Sequence, residues 1–319
     1  MALEHVAVIG AGAWGTALAQ AAAMAGRRVT LIGRDLAAIE EVNAHHSNSR
    51  HLGAQHLLEA ITASSHHGGA DITILAVPAQ ASRAALEAHR PHGPVVLTAK
   101  GLEHGSLKRQ SEVLAEAAPN AVPFVLSGPS FAADVAAGRP TAVTLAGDDA
   151  DATDAIAAAL AGPSFRPYAA DDRIGVELAG ALKNVYALAA GAVEGAGLGA
   201  SARSSLIARA FAELSRIVEA LGGHAGTLTG LAGLGDLTLS CTSQQSRNYR
   251  AGMALGAGQR PDAALLAEGV FTAPVAQSLA RQAGIDAPLI DAVNLLLGGN
   301  VSIETIVAGL MSRPLKREE

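Results

Sequence analysis

The chain is poor in four things, and each scarcity closes off a class of protein. It has a single cysteine, Cys241, in 319 residues. No intrachain disulfide can form, so a disulfide-stapled scaffold is excluded and a reducing, cytoplasmic setting is expected. Aromatic residues make up 3% of the chain while hydrophobic residues make up 50%. The core must therefore be built from Ala, Val, Leu and Ile, small side chains that let helices approach closely. Charge is also sparse, at 16%, with a net charge of −6. That balance argues against a general nucleic-acid or membrane-surface binder, while leaving room for a local basic pocket that takes a small anion. Long apolar runs are missing as well. The longest nearly uncharged stretches, such as residues 220–235, are rich in Gly and Thr and contain His224, whereas a membrane span needs about 20 mostly apolar residues. At the N-terminus, Glu4 and His5 precede a short apolar run that ends in glycines, which does not read as a signal peptide.

What is present is an alternating pattern. At about 150 residues per domain, the length suggests two domains. Residues 6–9 read as a strand, followed by Gly10-Ala11-Gly12-Ala13-Trp14-Gly15, a helix over 16–25 ended by Gly26, and a second strand over 28–32. This is a βαβ unit. Further strands are expected over 71–77, 95–99, 123–127 and 141–146, with a helix over 79–89. Strands alternating with helices predict a parallel, doubly wound Rossmann sheet. From about Gly175 the strand pattern gives way to long Ala/Leu stretches of helical spacing. The expected architecture is α/β: a dinucleotide-binding Rossmann domain over 1–174 and an all-helical substrate-binding and catalytic domain over 175–319. Residues 314–319 read as a frayed end.

The glycine motif carries a specific physical logic. Gly10 permits the tight turn, Gly12 lets backbone approach a pyrophosphate, and Gly15 lets the helix pack on the strand, while the helix N-terminus attracts the anion. The motif alone is weak, but it follows the first strand and opens a helix inside a complete βαβ unit. After the second strand come Gly33-Arg34-Asp35. An acid there would hold ribose hydroxyls, and an Arg would accommodate a 2′-phosphate. Arg34 at that position points to NADP(H), with NAD(H) also accepted; the alternative is a solvated loop arginine.

Other residues admit both a chemical and a bland reading. Lys100 directly follows a strand, where open α/β sheets bind ligands, or it is a surface lysine. Gly128-Pro129-Ser130 follows another strand end and offers donors to a ligand, or is an ordinary turn. Lys183-Asn184 interrupts a nearly apolar helix; burial would lower the lysine pKa toward the range of a general acid or base, unless the side chain snorkels to the helix edge. Asp236, after Gly233-Leu234-Gly235, could pair with a buried lysine or cap a helix. Ser246-Arg247-Asn248 suits a phosphate, which Arg grips bidentately, or is a solvated helix face. His45, His46, His51, His56, His66 and His67 crowd loop-like sequence without metal-ligand spacing, so no metal is expected. Cys241 reads as a small packing residue.

Taken together these stretches resemble the bacterial type of NAD(P)-dependent glycerol-3-phosphate dehydrogenase. The resemblance rests on residues 10–19, Thr98-Ala99-Lys100-Gly101-Leu102-Glu103, Ser127-Gly128-Pro129-Ser130-Phe131-Ala132, Lys183-Asn184-Val185, residues 230–237 and Ser246-Arg247-Asn248, in the family's order over nearly the whole chain. It implies interconversion of dihydroxyacetone phosphate and sn-glycerol 3-phosphate, supplying phospholipid synthesis, and a possible homodimer. It implies Lys183 as the proton donor and acceptor. It places Lys100, Gly128, Ser130, Lys183, Asp236, Ser246, Arg247 and Asn248 at the substrate. It places Gly10, Gly12, Ala13, Trp14, Gly15, Arg34, Lys100, Ala132, Arg247, Leu266 and Glu268 at the cofactor. Two departures stand out: Asp134 replaces the family's usual Glu, and residues 267–272 match only through Glu268-Gly269. The competing readings are a 6-phosphogluconate or hydroxyacyl-coenzyme A type of dehydrogenase, against which the Ser246-Arg247-Asn248 triplet argues, and a cofactor-sensing module, which would need neither Lys100 nor Lys183.

Overall fold

A computed structural model describes residues 3–262 and 266–314. The first half is one eight-stranded sheet with its covering helices. The strands are β1 (His5–Ile9), β2 (Arg28–Ile32), β3 (Ile61–Ser64), β4 (Ile72–Leu75), β5 (Gly93–Leu97), β6 (Ala121–Ser127), β7 (Thr141–Gly147) and β8 (Phe165–Ala170). The helices among them are α1 (Ala13–Met24), α2 (Leu36–His45), α3 (Ser49–Leu52), α4 (Ser82–His89), α5 (Gln110–Ala117), α6 (Ala132–Ala136) and α7 (Ala150–Leu160). Among the described residues only helices follow: α8 (Arg173–Gly195), α9 (Gly199–Ala220), α10 (Ala225–Leu228), α11 (Asp236–Thr242), α12 (Arg247–Gly256), α13 (Glu268–Gln282), α14 (Pro288–Gly298) and α15 (Ile303–Met311). The α/β half and the helical half are thus as expected. The expected fraying of 314–319 concerns residues that, beyond Pro314, lie outside those described.

The strand order is β3-β2-β1-β4-β5-β6-β7-β8. The order reverses between β1 and β4, the switch point at which open α/β sheets bind ligands beyond the carboxyl ends of the strands. The expectation of a wholly parallel sheet needs correction. β6 and β7 pair antiparallel, with Ser127 opposite Thr144, while β7 and β8 are parallel to each other. The reason lies in the connection. A parallel crossover must carry the chain back across the sheet, usually on a full helix, but here the link holds only the five-residue α6, which packs on α1. The chain therefore turns back at the same end of the sheet, where Gly128-Pro129-Ser130 directly follows β6. β3 and β8 were not anticipated from the pattern. Both are edge strands; β3 has four residues and β8 contains Pro167, which the unpaired side of an edge strand accommodates.

The core follows the composition. Val6, Val8, Val29, Leu31, Ile72 and Ile74 of the central strands meet Ala17, Leu18 and Ala21 of α1 on one face. On the other face Ala7, Ile9, Leu75, Leu97 and Val125 meet Val176 of α8. α8 continues from the sheet into the helical half, where Leu178, Leu182, Val185 and Leu188 join Leu214, Ile217, Tyr249 and Ile290. It is long and apolar enough to cross a membrane by length and composition, but the apolar window is entirely buried inside the protein. Burying it satisfies the same hydrophobic surface internally.

Asp172 ties the two halves where α8 begins. Its carboxylate accepts from Gly175 N at 2.8 Å, capping the helix, and from His224 N at 2.8 Å and Thr227 Oγ1 at 2.6 Å. Asp172→Ala strands these donors in a buried place, at a cost of about 2–4 kcal/mol. Chemical denaturation is expected to show that loss, and Asp172→Asn to recover part of it; a midpoint unchanged in Asp172→Ala would contradict the role.

Candidate active site

The glycine turn after β1 does what its spacing suggests. Gly10 has φ +113°, and a methyl group there would press into Ala76 at the end of β4. A methyl at Gly15 would collide with the Gly10 carbonyl oxygen. A methyl at Gly12 would meet nothing within 4 Å. Gly10 and Gly15 are thus needed for the protein's own packing, whereas Gly12 borders open space. Gly12 also N-caps α1 without a side-chain hydrogen bond, leaving first-turn N–H groups for an outside acceptor. Ala13 and Trp14 form that first turn. Open space beside an uncapped, electropositive helix end fits a dinucleotide pyrophosphate.

Arg34 follows β2 and is exposed. Its neighbour Asp35 is committed elsewhere: it N-caps α2, accepting from Ala37 N at 3.0 Å, and pairs with Arg50 at 3.4 Å. Of the two residues considered for a ribose contact, Arg34 is the one not engaged in capping. The histidines also need a correction. His45 lies on α2 and His51 on α3 rather than in loops, and His46 meets His56 edge-on at 6.0 Å. Among the described residues no group of three or more His, Cys, Asp or Glu is arranged to hold a metal.

Beyond the carboxyl ends of β5 and β6 the chain brings together residues far apart in sequence. Asp236 is the centre. It opens α11, directly after a wide helical turn over Leu231–Gly235, so it is a first-turn residue and not a side-chain cap. Its carboxylate takes Lys183 Nζ on Oδ1 at 2.5 Å and Lys100 Nζ on Oδ2 at 2.6 Å. Lys100 comes from the loop after β5 and also donates to the Gly128 carbonyl at 2.8 Å. Lys183 comes from the middle of α8 and also donates to Ser240 Oγ at 2.6 Å. Burial is the largest influence on Lys183, and the second ammonium adds to it. Together they outweigh the Asp236 carboxylate and bring the pKa of Lys183 down to about 8. Burial alone would push Asp236 up, but the two ammonium groups hold it below the usual carboxylate range. Cys241, on the same helix as Asp236, is pushed up to about 12 by burial, so it is an inert thiol, in keeping with packing.

A second chain of contacts runs outward from this centre. Asn184 Nδ2 donates to the Lys100 carbonyl at 2.7 Å, Asn248 Nδ2 donates to Asn184 Oδ1 at 2.8 Å, and Gly269 N donates to Asn248 Oδ1 at 2.8 Å. Ser246 N-caps α12, accepting from Tyr249 N at 3.2 Å. Arg247 begins α12 and is exposed. Ser130 Oγ donates to the Gly128 carbonyl at 3.0 Å, and Ala132 opens α6 just beyond. Glu268 starts α13 and accepts from Ala79 N at 3.1 Å with Oε1, while its buried Oε2 has no hydrogen-bond partner among the described residues. Burial raises its pKa despite that bond and the Arg247 charge. Leu266 is exposed, with φ +45°.

Lys100, Gly128, Ser130, Lys183, Asp236 and Asn248 are therefore gathered in one place. Ser240 was missed by sequence reasoning. Its signal was the spacing: four residues after Asp236, it shares a face of one helix turn with that acid. Asn184 was noticed but given no role, because its partners lie 84 and 64 residues away.

Both halves of the chain match known proteins. Residues 5–153 match the model of the NAD-dependent glycerol-3-phosphate dehydrogenase N-terminus, and residues 172–308 that of its C-terminus. An NAD(P)+-dependent glycerol-3-phosphate dehydrogenase of Caulobacter vibrioides is 49% identical, covering 100% of both chains. One from Rhodopseudomonas palustris is 49% identical over 99% of both. The crystal structure of glycerol-3-phosphate dehydrogenase from Coxiella burnetii superposes with a TM-score of 0.88 at 35% identity, covering 97% of this chain and 99% of that one. A putative ketopantoate reductase from Ralstonia solanacearum, at 18% identity and a TM-score of 0.59 over 93% of this chain and 97% of that one, shares the fold alone. With both halves matched in order and relatives nearly half identical from end to end, the chain belongs to the NAD(P)-dependent glycerol-3-phosphate dehydrogenase family.

Proposed function

We propose that the protein interconverts dihydroxyacetone phosphate and sn-glycerol 3-phosphate, with Lys183 as general acid and base. In this reading residues 1–174 hold the dinucleotide and residues 175–319 hold the substrate. The observation that carries it is the state of Lys183. An ammonium has three N–H donors, and two are spent on Asp236 and Ser240. The third is left for a substrate oxygen.

Bound reduced nicotinamide supplies the hydride to the carbonyl carbon. The protein's own residues handle charge and position. Lys183 stabilises the negative charge that develops on the carbonyl oxygen and then protonates it. A pKa of about 8 keeps the ammonium dominant near neutrality yet able to release a proton. Asp236 keeps Lys183 charged and aimed. Lys100, the second cation on that carboxylate, faces the substrate beside the Gly128 and Ser130 turn. Arg247 and the remaining amide hydrogen of Asn248 grip the phosphate, with Ser246, so that remote binding energy orients the reacting carbon. Gly10, Gly12, Ala13, Trp14 and Gly15 hold the pyrophosphate side of the cofactor, Arg34 the 2′-phosphate, and Ala132, Leu266 and Glu268 its remaining contacts. NADPH is the preferred cofactor and NADH is accepted. The product feeds phospholipid synthesis in the cytoplasm, and the working form is a homodimer, which sedimentation would test.

Loss of reduced-nicotinamide absorbance on adding dihydroxyacetone phosphate tests the reading. Lys183→Ala is expected to lower kcat by about 10²–10⁴-fold; a folded variant of undiminished activity would sink the assignment. The pH dependence has a definite sign. Reduction needs the ammonium, so its kcat/KM should fall as pH rises through about 8, while oxidation of glycerol 3-phosphate rises over the same range. Asp236→Asn removes the anion that raises the pKa of Lys183, so the break should move to lower pH; an unmoved break would refute the pairing. Arg34→Ala should raise KM for NADPH by about tenfold, the worth of one charged hydrogen bond, and leave KM for NADH nearly unchanged.

A further inference from the structure

Lys183 and the Arg247-Asn248 pair stand on different helices, α8 and α12, and the contact between these helices is unusual. Gly191 and Gly195 lie four residues apart on α8, and Gly252 and Gly256 four apart on α12. A methyl group at Gly191 would overlap the Tyr249 carbonyl oxygen, and at Gly195 that of Met253. The reciprocal holds: Gly252 faces the Leu188 carbonyl oxygen and Gly256 that of Ala192. The two backbones touch directly along two turns, as small residues at spacing four allow. At the site end of this seam the side chains take over, where Asn248 donates to Asn184 at 2.8 Å. α13 enters the same joint. Its Gly269 N donates to Asn248 Oδ1 at 2.8 Å, and a methyl at Gly269 would come within 2.5 Å of the Asn184 carbonyl oxygen.

Packing of this kind has no slack. Side chains between helices can repack around a change, but two backbones in contact can only move apart as rigid bodies. The distance between the Lys183 ammonium and the phosphate-gripping end of α12 is therefore set by the glycines and not by the residues that touch substrate. Gly191 is eight residues beyond Lys183, about 12 Å along α8, so it lies outside the reacting centre.

We propose that Gly191, Gly195, Gly252 and Gly256 are positioning residues that hold α12 at the spacing at which one substrate molecule reaches both Lys183 at its carbonyl and Arg247-Asn248 at its phosphate. This rests on the phosphate assignment made above. It has a consequence that simple destabilisation lacks. Separating the helices harms a substrate that must span both groups, but not one without a phosphate, which uses only the Lys183 end.

The test compares dihydroxyacetone phosphate with dihydroxyacetone in wild type, Gly252→Ala and Arg247→Ala, at temperatures where each is folded. For Gly252→Ala, kcat/KM with the phosphorylated substrate should fall by about 10²-fold, the effect of a misplacement near 1 Å. Turnover of dihydroxyacetone should stay within about twofold, because its binding does not use α12. Gly256→Ala meets the same seam at the end of α12, where fraying absorbs part of the clash, and provides the comparison if Gly252→Ala does not accumulate as folded protein; the same unequal loss is expected, smaller in size. Equal losses on both substrates, or no loss on either, would overturn the proposal. Arg247→Ala separates the two layers of the reading. If it too harms both substrates equally, the phosphate assignment fails and the proposal with it; if it selectively harms the phosphorylated one while the glycine variants do not, only the seam is refuted.

Discussion

A single buried carboxylate between two ammonium groups organises this protein. Asp236, Lys100 and Lys183 are drawn from three separate stretches of chain, and none could be buried alone. An isolated charge in the interior costs several kcal/mol, and removing one member of a paired set leaves the others uncompensated. The cluster carries one positive charge in excess, which suits an anionic substrate. It also requires that the end of β5, the middle of α8 and the start of α11 be held within hydrogen-bonding distance of one another. Much of the remaining architecture can be understood as meeting that requirement.

Glycine is the main means. In the sheet half it acts at the β1–α1 turn, where Gly10 takes a left-handed backbone and Gly15 lies against the Gly10 carbonyl, bringing an uncapped helix end to the carboxyl end of β1. In the helical half it acts at ordinary helical dihedrals, by removing side chains from between α8 and α12. The first use is about conformation and the second about distance. The scarcity of aromatics has the same effect on a larger scale: a core of Ala, Val, Leu and Ile lets α8 run buried through both halves and present Lys183 from a rigid support.

The reversed β6–β7 pair shows how a small departure serves the site. A regular parallel crossover would carry the chain after Ser127 away to the far end of the sheet. The one-turn α6 instead returns it at the same end, so that Val143 of β7 packs against Gly128, whose carbonyl accepts a hydrogen bond from the Lys100 ammonium. Nothing in the strand pattern distinguishes these alternatives, since an apolar run of seven residues reads the same in either direction.

Local signals determined a good deal. Strand periodicity and the glycine spacing specified the βαβ unit, because turn geometry and helix starts depend on neighbours within a few residues. The change of texture near Gly175 marked the helical half, and an apolar context around Lys183 already implied a depressed pKa, since desolvation follows from the helix in which the lysine lies. The edge strands β3 and β8 were not legible, being short or broken by Pro167, with pairing supplied by neighbours distant in sequence. The partnership of Asp236 with Lys100, the role of Ser240 and the Asn184–Asn248 bridge were decided only by the tertiary structure. Each joins groups whose separation along the chain carries no trace of their distance in space, and only the packing of helices on the sheet, and of α12 on α8, brings them within a hydrogen bond.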